Sequence, residues 1–597
     1  MPRSRLRAPR AAKELSAHWY AVAAVAAILA ATWPLWLVGA LPGWDRIPHA
    51  VWHLSLKEQV LMGDLYPRWL INGNAGLGSP ALYFYGIFPV VVAAGIGLLL
   101  DALNLAATPL HGLGATATVF TLVGFFGMNR LLRRFIGPAS AMIGGLVFAL
   151  HPFALFFDLL QRFGFAEHAT MMMAPWLILL ILRVIDRQRH GVALLALVTA
   201  AMIASHLPSA AICAATIGPA ALLFCMRQPR SLRLVSVGRL VLAGILGVAL
   251  ASPYLSTVAT QTGWINVNAL VDQPYFDYSV NFAFTGSNGT PQELTAWAVL
   301  PSLLVIVGGA GLAFAARRRL GPPMRDLLLL ALPVAGVSLF FMTAVSTPVW
   351  EWVEPLQTIQ FPWRFTVALT VATGLMAGAL AHITTATPRP LFLVAAIGIV
   401  IGSGILTSTA VKRAVWLHAS VLSEGAAAIP VPEAVRLRQD VPEYRPIWAG
   451  AHSLTEDELK RHASAPRPPV VVDEGVADAG QATWAADRIT FAGTAAEPSC
   501  MVLHHLFYPT WVLARDTSVA GVRFGPAADG RMRVCVPAGP FDVSIVRRLT
   551  PVERGAFVLA AGAAALLVIG SLMTMRRRTS AASSAPPGSA MEHSGGG

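Results

Sequence analysis

Arginines close one apolar run after another in this chain, and that placement restricts the fold more than any other feature. Arg130, Arg133 and Arg134 end one run, Arg183, Arg187 and Arg189 another, and Arg317 to Arg319 and Arg576 to Arg578 two more. The loops at the opposite ends of these runs carry acids and aromatic residues instead. Cytoplasmic loops of membrane proteins retain Lys and Arg, so the clusters orient the chain before any span is drawn. Inner segments are set at the N-terminal tail, 129–137, 183–190, 226–239, 316–325, 384–389 and the C-terminal tail. They gather 23 of the 44 basic residues, while the short outer loops hold 5 basic and 11 acidic residues and the stretch 409–554 holds 16 of each. The net charge of +13 therefore belongs to the inner face and the tails, where anionic lipid meets it. A nucleic-acid partner is not needed to explain it.

Apolar residues make up 55% of the chain and charged residues 13%, with a mean hydropathy of +0.60. That composition describes an α-helical polytopic membrane protein. At about 20 apolar residues per crossing, spans fall near 19–40, 112–129, 138–156, 169–184, 191–207, 209–225, 238–254, 293–315, 326–345, 363–383, 390–408 and 555–574. That gives about 12 spans with both termini cytoplasmic. No small-residue cleavage site follows the first span, which is expected to remain as an anchor. Residues 83–102 are also apolar, but counting them as a span would put Arg130 to Arg134 outside. They are expected to lie in the outer interface or to re-enter within a large first outer loop, 41–111; Pro80, Gly86 and Pro89 suit a bent segment.

The domain plan is a membrane domain over 1–408, an extracytoplasmic domain over 409–554, a last helix at 555–574 and a disordered cytoplasmic tail, 575–597. Within 409–554 the first part, 421–490, is rich in Ala, Pro and charge and is expected to be loop-rich. The second part alternates like strands at Ile489–Phe491, Met501–Leu503, Trp511–Leu513, Met532–Val534 and Val543–Val546, with Gly521, Gly525, Gly530 and Pro537 between them. A small antiparallel β-domain follows. Cys500 and Cys535 fall in its strands, and a disulfide between them is an open expectation on an oxidising side of the membrane. Cys213 and Cys225 lie in a span.

No span carries an acid or Lys at its middle, which speaks against an ion-coupled transporter. The purposeful polar residues stand at the outer ends of the spans, in four groups. The first loop holds Gly43-Trp44-Asp45-Arg46-Ile47-Pro48-His49, then His53, then Gly63-Asp64-Leu65-Tyr66-Pro67-Arg68-Trp69. Its bland reading is an amphipathic interfacial helix; its sharp reading makes Asp45 a general base or a cation ligand. The second group runs from Asp158 through Arg162 to Glu167 and His168. A carboxylate at a helix start is already explained by the helix dipole. The same position also aims Glu167 at a cleft facing Asp45, and such an oxygen pair suits Mg²⁺ or Mn²⁺. Ser205-His206-Leu207-Pro208-Ser209 breaks two spans, as either a tight interfacial turn or a ligand contact. Arg364, within Gln360-Phe361-Pro362-Trp363-Arg364, is the sole base of its loop. It either snorkels to headgroups or grips phosphate with its planar fork.

At these residues the chain resembles the GT-C glycosyltransferases, and in particular a bacterial set labelled YfhO-like or pyruvoyl-tetrahydropterin-synthase-related. The matching pieces are Asp45 with His49, the 63–69 stretch, Gly76-Leu77-Gly78-Ser79-Pro80 to Tyr83-Phe84-Tyr85, Arg162 through Glu167, Ser205-His206 and 360–364. In the soluble part they are Phe507-Tyr508-Pro509-Thr510-Trp511 and Val536-Pro537-Ala538-Gly539. The resemblance spans nearly the whole chain and implies a GT-C fold. It further implies transfer of a sugar from a polyprenyl-phosphate-linked donor to an envelope glycan, lipid or protein acceptor, in the bacterial inner membrane. Asp45 is then the catalytic base or a metal ligand and Glu167 the second catalytic acid, with His49, Asp64, Arg162, His206 and Arg364 as substrate-binding candidates. The first loop lacks the Asp-x-Asp or Glu-x-Asp pair that goes with a divalent cation in the family. Two other readings stay open: a flippase or assembly factor for lipid-linked glycans, which should show a polar path through the spans, and a scaffold that uses the β-domain.

Overall fold

A computed structural model describes residues 10–41, 43–270, 273–287, 289–386, 390–424, 432–450, 454–464, 470–480 and 482–583. The chain is a polytopic helical membrane protein with a small β-rich domain inserted before its last helix. Among the described residues, 11 helices are long and apolar enough to cross a membrane. The difference from the expected twelve lies at 191–207. There the helix Gly191–Ile203 has 13 residues, about 20 Å of rise, which is short of the roughly 30 Å hydrocarbon layer. Its end at Ala204 is met by protein: Phe88 N–H donates to Ala204 O at 3.0 Å. Irregular backbone is tolerated in such a place when it is buried in protein. The Ile87–Ala102 helix that supplies this contact has 16 residues, again shorter than a crossing.

Phe165–Ile185 and Pro362–Ala386 are the most deeply buried spans and form the centre of the bundle. The second is rich in Ala, Thr and Gly. Its Gly374 and Gly378 let the helix Pro138–Ala149 approach so closely that a Cβ on Gly144 would lie 2.6 Å from Gly374 O. Small residues of this kind are what bring membrane helices into contact, since lipid gives no hydrophobic drive. Two helices outrun their expected ends. One runs Pro390–Glu424, past 408, and the last runs Pro551–Ser583, past 574; residues 584–597 of the expected tail lie outside the described residues.

The β-domain has two antiparallel sheets. One orders β1 (Val471–Glu474), β5 (Ser499–Leu506), β8 (Arg531–Val536) and β7 (Arg523–Pro526). The other orders β2 (Ala477–Ala479), β4 (Arg488–Ala495), β9 (Gly539–Arg547) and β6 (Trp511–Leu513), with β3 (Thr483–Trp484) also on β4. Each alternating segment of the sequence falls inside one of these strands. The stretch expected to be loop-rich adds three short ones, β1 to β3, whose two to four residues are too brief for a period to show. Cys500 faces Cys535 across β5 and β8, with Cα atoms 3.9 Å apart, and the two are disulfide-bonded.

Strand β5 is buried along its whole length. One of its faces packs into the sandwich and the other meets the first loop: Trp69, Leu77 and Tyr83 share its apolar cluster, and Leu506 N–H donates to Leu77 O at 2.7 Å. Polar clamps reinforce this contact. Arg68 and Glu553 form a buried ion pair at 2.7 Å, Arg438 pairs with Glu58 at 2.6 Å, and Trp52 Nε1 donates to Asp440 Oδ1 at 3.1 Å. Glu553 also closes a capping box on the last helix. Thr550 N–H donates to Glu553 Oε2 at 2.7 Å, Glu553 N–H returns to Thr550 Oγ1 at 3.2 Å, and Pro551 takes the first helical position.

Candidate functional site

Arg162 is the hub of a buried charge cluster at the β-domain end of the bundle. The turn that carries it is unusual. Pro152–Gln161 winds as a π-helix, and Arg162 N–H donates five residues back to Phe157 O at 2.8 Å. Phe163 then adopts φ +60°, a conformation that bulky side chains avoid. Gly164 follows because nothing larger fits: a Cβ there would lie 2.3 Å from Asp158 Oδ1 and 2.7 Å from Arg162 Nη2. Wide helical turns and strained φ values cluster where function fixes a geometry.

From this turn the guanidinium reaches three carboxylates. Nε donates to Asp45 Oδ2 at 2.9 Å, Nη2 donates to Glu167 Oε2 at 3.0 Å, and Nη1 stands 3.6 Å from Asp158 Oδ1. The backbone joins in, with Asp45 N–H donating to Arg162 O at 2.9 Å. Asp158 and Glu167 are fully buried, whereas the Asp45 side chain is 39% exposed. Glu167 sits in the first turn of Phe165–Ile185, where the helix dipole favours a carboxylate. Its Oε2 also lies 3.3 Å from Arg364 Nε. Arg364 follows Gln360, itself at φ +65°, and is steadied by Nη1 donating to Ile359 O at 2.7 Å, with the guanidinium over the Phe361 ring at 4.8 Å.

Two histidines flank the arginines. His206 precedes the helix Leu207–Met226 and its Nδ1 accepts from Ser209 N–H at 3.4 Å, so in the neutral ring the proton sits on Nε2. Burial pushes its pKa down to about 3, so His206 is a neutral donor at pH 7. His49 Nδ1 donates to Asp45 O at 2.6 Å, which leaves Nε2 to accept from the Tyr85 hydroxyl at 3.3 Å. Burial lowers its pKa too.

Asp45, His49, Arg162, His206 and Arg364 line one cavity of about 910 Å³. Glu167 stands behind it, holding both arginines. Four separate stretches of sequence thus converge. Asp64 does not join them. It accepts from Arg547 Nη2 at 3.0 Å and from Gln59 Nε2 at 3.0 Å, and so ties the first loop to β9, which corrects its place among the substrate-binding candidates. Trp52, Tyr85, Val441, Glu443 and Tyr444 line the cavity as well. The last three come from the segment that leads into the β-domain, where no local pattern marks them. Only the aromatic run Tyr83-Phe84-Tyr85 stood out in the sequence.

The two acids considered for Mg²⁺ or Mn²⁺ are bridged by Arg162, whose guanidinium occupies the space a cation shared by Asp45 and Glu167 would take. Among the described residues no group of three or more His, Cys, Asp and Glu side chains converges as a metal site. The donor set as arranged does not fit a divalent ion, and no chemical step is assigned to one.

No family model matches the chain, and no curated protein sequence does. Solved structures of similar layout include the arabinofuranosyltransferase AftD from Mycobacteria, 18% identical over 66% of this chain and 27% of its own, with a TM-score of 0.41. ArnT from Cupriavidus metallidurans, solved bound to undecaprenyl phosphate, is 16% identical over 74% of this chain and 75% of its own, with a TM-score of 0.44. The archaeal oligosaccharyltransferase AglB from Archaeoglobus fulgidus, solved with an inhibitory peptide and a dolichol-phosphate, is 12% identical over 75% and 60%, with a TM-score of 0.37. The chain thus spans about a quarter of the length of AftD. At these scores the likeness carries no argument about chemistry, which rests on the residues of the cavity.

Proposed function

We propose that this protein is a GT-C-type membrane glycosyltransferase of the YfhO-like set. It takes a sugar from a polyprenyl-phosphate-linked donor and passes it to a cell-envelope acceptor on the extracytoplasmic face of a bacterial inner membrane. The observation that carries the reading is the pairing, in one cavity, of a half-exposed carboxylate with a cationic wall. Asp45 keeps one oxygen on Arg162 and its side chain open to the cavity, beside Arg364, Arg162 and the neutral His206. A sugar transfer needs those two things: a base for the acceptor proton and donors for the departing phosphate.

In this mechanism Asp45 takes the hydroxyl proton of the acceptor as its oxygen attacks the anomeric carbon of the donor. The bond from that carbon to the phosphate oxygen breaks, and the phosphate leaves with the electron pair. Arg364 and Arg162 hold the growing charge with the guanidinium N–H groups not already directed at Asp45, Glu167 and Ile359 O. His206 adds a neutral hydrogen bond. Glu167 keeps the two arginines in register and touches no substrate. The isoprenoid tail stays in lipid, with its phosphate at the level of the cavity.

The test is Asp45→Asn, which removes the base and keeps the shape. General-base catalysis contributes about 10²- to 10⁴-fold, so transfer by membranes carrying Asp45→Asn should fall at least about a hundredfold. Binding of undecaprenyl phosphate should stay near that of the unsubstituted protein. Arg364→Ala should instead weaken binding of that lipid about ten- to a hundredfold, the worth of a lost charge-assisted hydrogen bond. Normal envelope-glycan output from an Asp45→Asn strain would end the mechanism.

A further inference from the structure

The cavity has a second wall that the transfer mechanism leaves unused. It is built by Val441, Glu443 and Tyr444, almost 400 residues after Asp45 in sequence (the Trp52–Asp440 contact spans 388). This wall is fixed. Asp440 accepts from Trp52 Nε1 and from the Ser79 hydroxyl, and its own N–H donates to Asn74 Oδ1 at 2.9 Å. On the far side Asn266 N–H donates to Arg445 O at 3.0 Å, and Ile265 bridges Pro446. Clamped at both ends, the segment presents Glu443 and Tyr444 in one pose.

Its chemistry differs from that of the arginine wall. Glu443 makes no ion pair and no hydrogen bond with another side chain among the described residues. Burial raises its pKa to about 7. Beside it the Tyr444 ring is stacked 6.3 Å from Phe84, lies 6.0 Å from Trp52 and 6.4 Å from Tyr85, and Tyr85 in turn reaches His49. A carboxyl group that no other side chain engages, able to accept or donate a hydrogen bond near neutral pH and set beside flat aromatic faces, is suited to a ring that carries several hydroxyls and apolar C–H faces. An anionic group would be repelled there by Asp45, and by Glu443 whenever it ionises.

We infer that Glu443 and Tyr444, with Tyr85, form the acceptor subsite and select a neutral sugar, whose hydroxyls hydrogen-bond Glu443 while its ring lies against the aromatic faces. This rests on the transferase reading, because it is that reading which gives the cavity an acceptor. The segment entering the β-domain thereby sets acceptor specificity, and the arginine wall sets the donor.

The test uses the full-length protein in detergent with Glu443→Gln and Tyr444→Ala. The probes are the methyl glycosides of a neutral hexose, an amino sugar and a uronic acid. Calorimetric titration should show the neutral glycoside binding the unsubstituted protein and losing about ten- to a hundredfold in affinity in Glu443→Gln, the worth of hydrogen bonds to an ionisable group. Undecaprenyl phosphate binding should not move in either variant. In turnover, Glu443→Gln should raise the KM for acceptor and leave the KM for donor unchanged. Preferential binding of the amino sugar would overturn the neutral-sugar assignment, and equal binding of all three, or none, would overturn the subsite. If donor is consumed and Glu443→Gln leaves acceptor KM unchanged, the subsite falls and the transferase stands. If no donor is consumed but the neutral glycoside binds in a Glu443-dependent way, the transferase reading falls and the subsite stands.

Discussion

Removing one partner of the Arg68–Glu553 pair should loosen the hold of the β-domain and last helix on the first loop. The two charges lie 2.7 Å apart with side chains 2% and 0% exposed, so neither has water to fall back on. Arg68→Met keeps the apolar volume over Tyr83, whose ring lies 4.6 Å from the guanidinium, and strands the Glu553 carboxylate. Stranding one member of a buried ion pair costs about 3–5 kcal/mol. Glu553→Gln together with Arg68→Met should recover most of this. The capping box accepts Gln in place of Glu, and no charge is left buried. The expected coupling between the two substitutions is therefore about 2 kcal/mol or more. The free thiols provide the assay: Cys213 and Cys225 are buried in the Leu207–Met226 helix, so a thiol-reactive fluorophore lights up as the bundle opens on heating in detergent. Loss of order should come at clearly lower temperature for Arg68→Met than for the double variant. If the double variant is no more stable than Arg68→Met, the pair contributes by packing and the electrostatic argument is wrong.

Gly164→Ala should cut transfer by about a hundredfold or more, because a Cβ so close to the Arg162 fork must displace it and misplacement of about 1 Å costs that much; sugar transfer by purified membranes reads it. Stability should depend on pH in two opposed ways. His206 and His53, lowered from 6.5 to about 3 and about 4, refuse protons that the unfolded chain accepts, so stability falls as pH drops from 6.5 toward 4, and His53→Gln should flatten that limb in thermal melts. Glu443, raised from 4.5 to about 7, keeps a proton that the unfolded chain has released, so its contribution falls as pH rises through that window and is removed by Glu443→Gln. Cys500→Ser should destabilise the β-domain by about 2–4 kcal/mol, since the bridge closes a loop of sequence separation 35, as denaturant unfolding with and without reductant would show. Replacing the exposed Asp529 by Cys should allow labelling of intact cells by an impermeant maleimide; labelling only after lysis would invert the orientation.

Local chemistry made part of the site legible and hid the rest. Asp45, Arg162, Glu167, His206 and Arg364 each stand at the end of an apolar run, where a charged or hydrogen-bonding side chain is conspicuous. The bundle then had only to bring run ends together. Asp64 was as conspicuous, but its partner is Arg547 on a strand, and nothing near residue 64 announces that. Glu443 and Tyr444 were invisible for the converse reason: they lie in a short stretch without period, and their meaning comes from Asn74, Trp52 and Asn266 far away. The alternating strands other than β5 could be read because each keeps partly exposed positions along its length. β5 has no wet face, since the first loop buries its other side, and Met501–Leu503 stood out there only as an apolar run. The missing twelfth span is a matter of length, because hydropathy ran through the Ser205-His206 break that ends the helix at Ile203.

The clamp between the first loop and the β-domain also sets an order of assembly. Arg68 and Glu553 are 485 residues apart, and Trp69 and its partner His505 are 436 apart. At about 5–20 residues per second of synthesis, the loop emerges roughly 25–100 seconds before its last partner exists. Through most of that interval, until β5 is made, the apolar side chains of Trp69, Leu77 and Tyr83 have no strand to cover them. The nascent chain must carry an uncovered patch beside a nearly finished bundle, and the cavity gains its last wall only when Val441, Glu443 and Tyr444 have been made. Premature termination anywhere before β5 would leave inserted spans with an open, sticky loop, the kind of intermediate that quality-control proteases recognise.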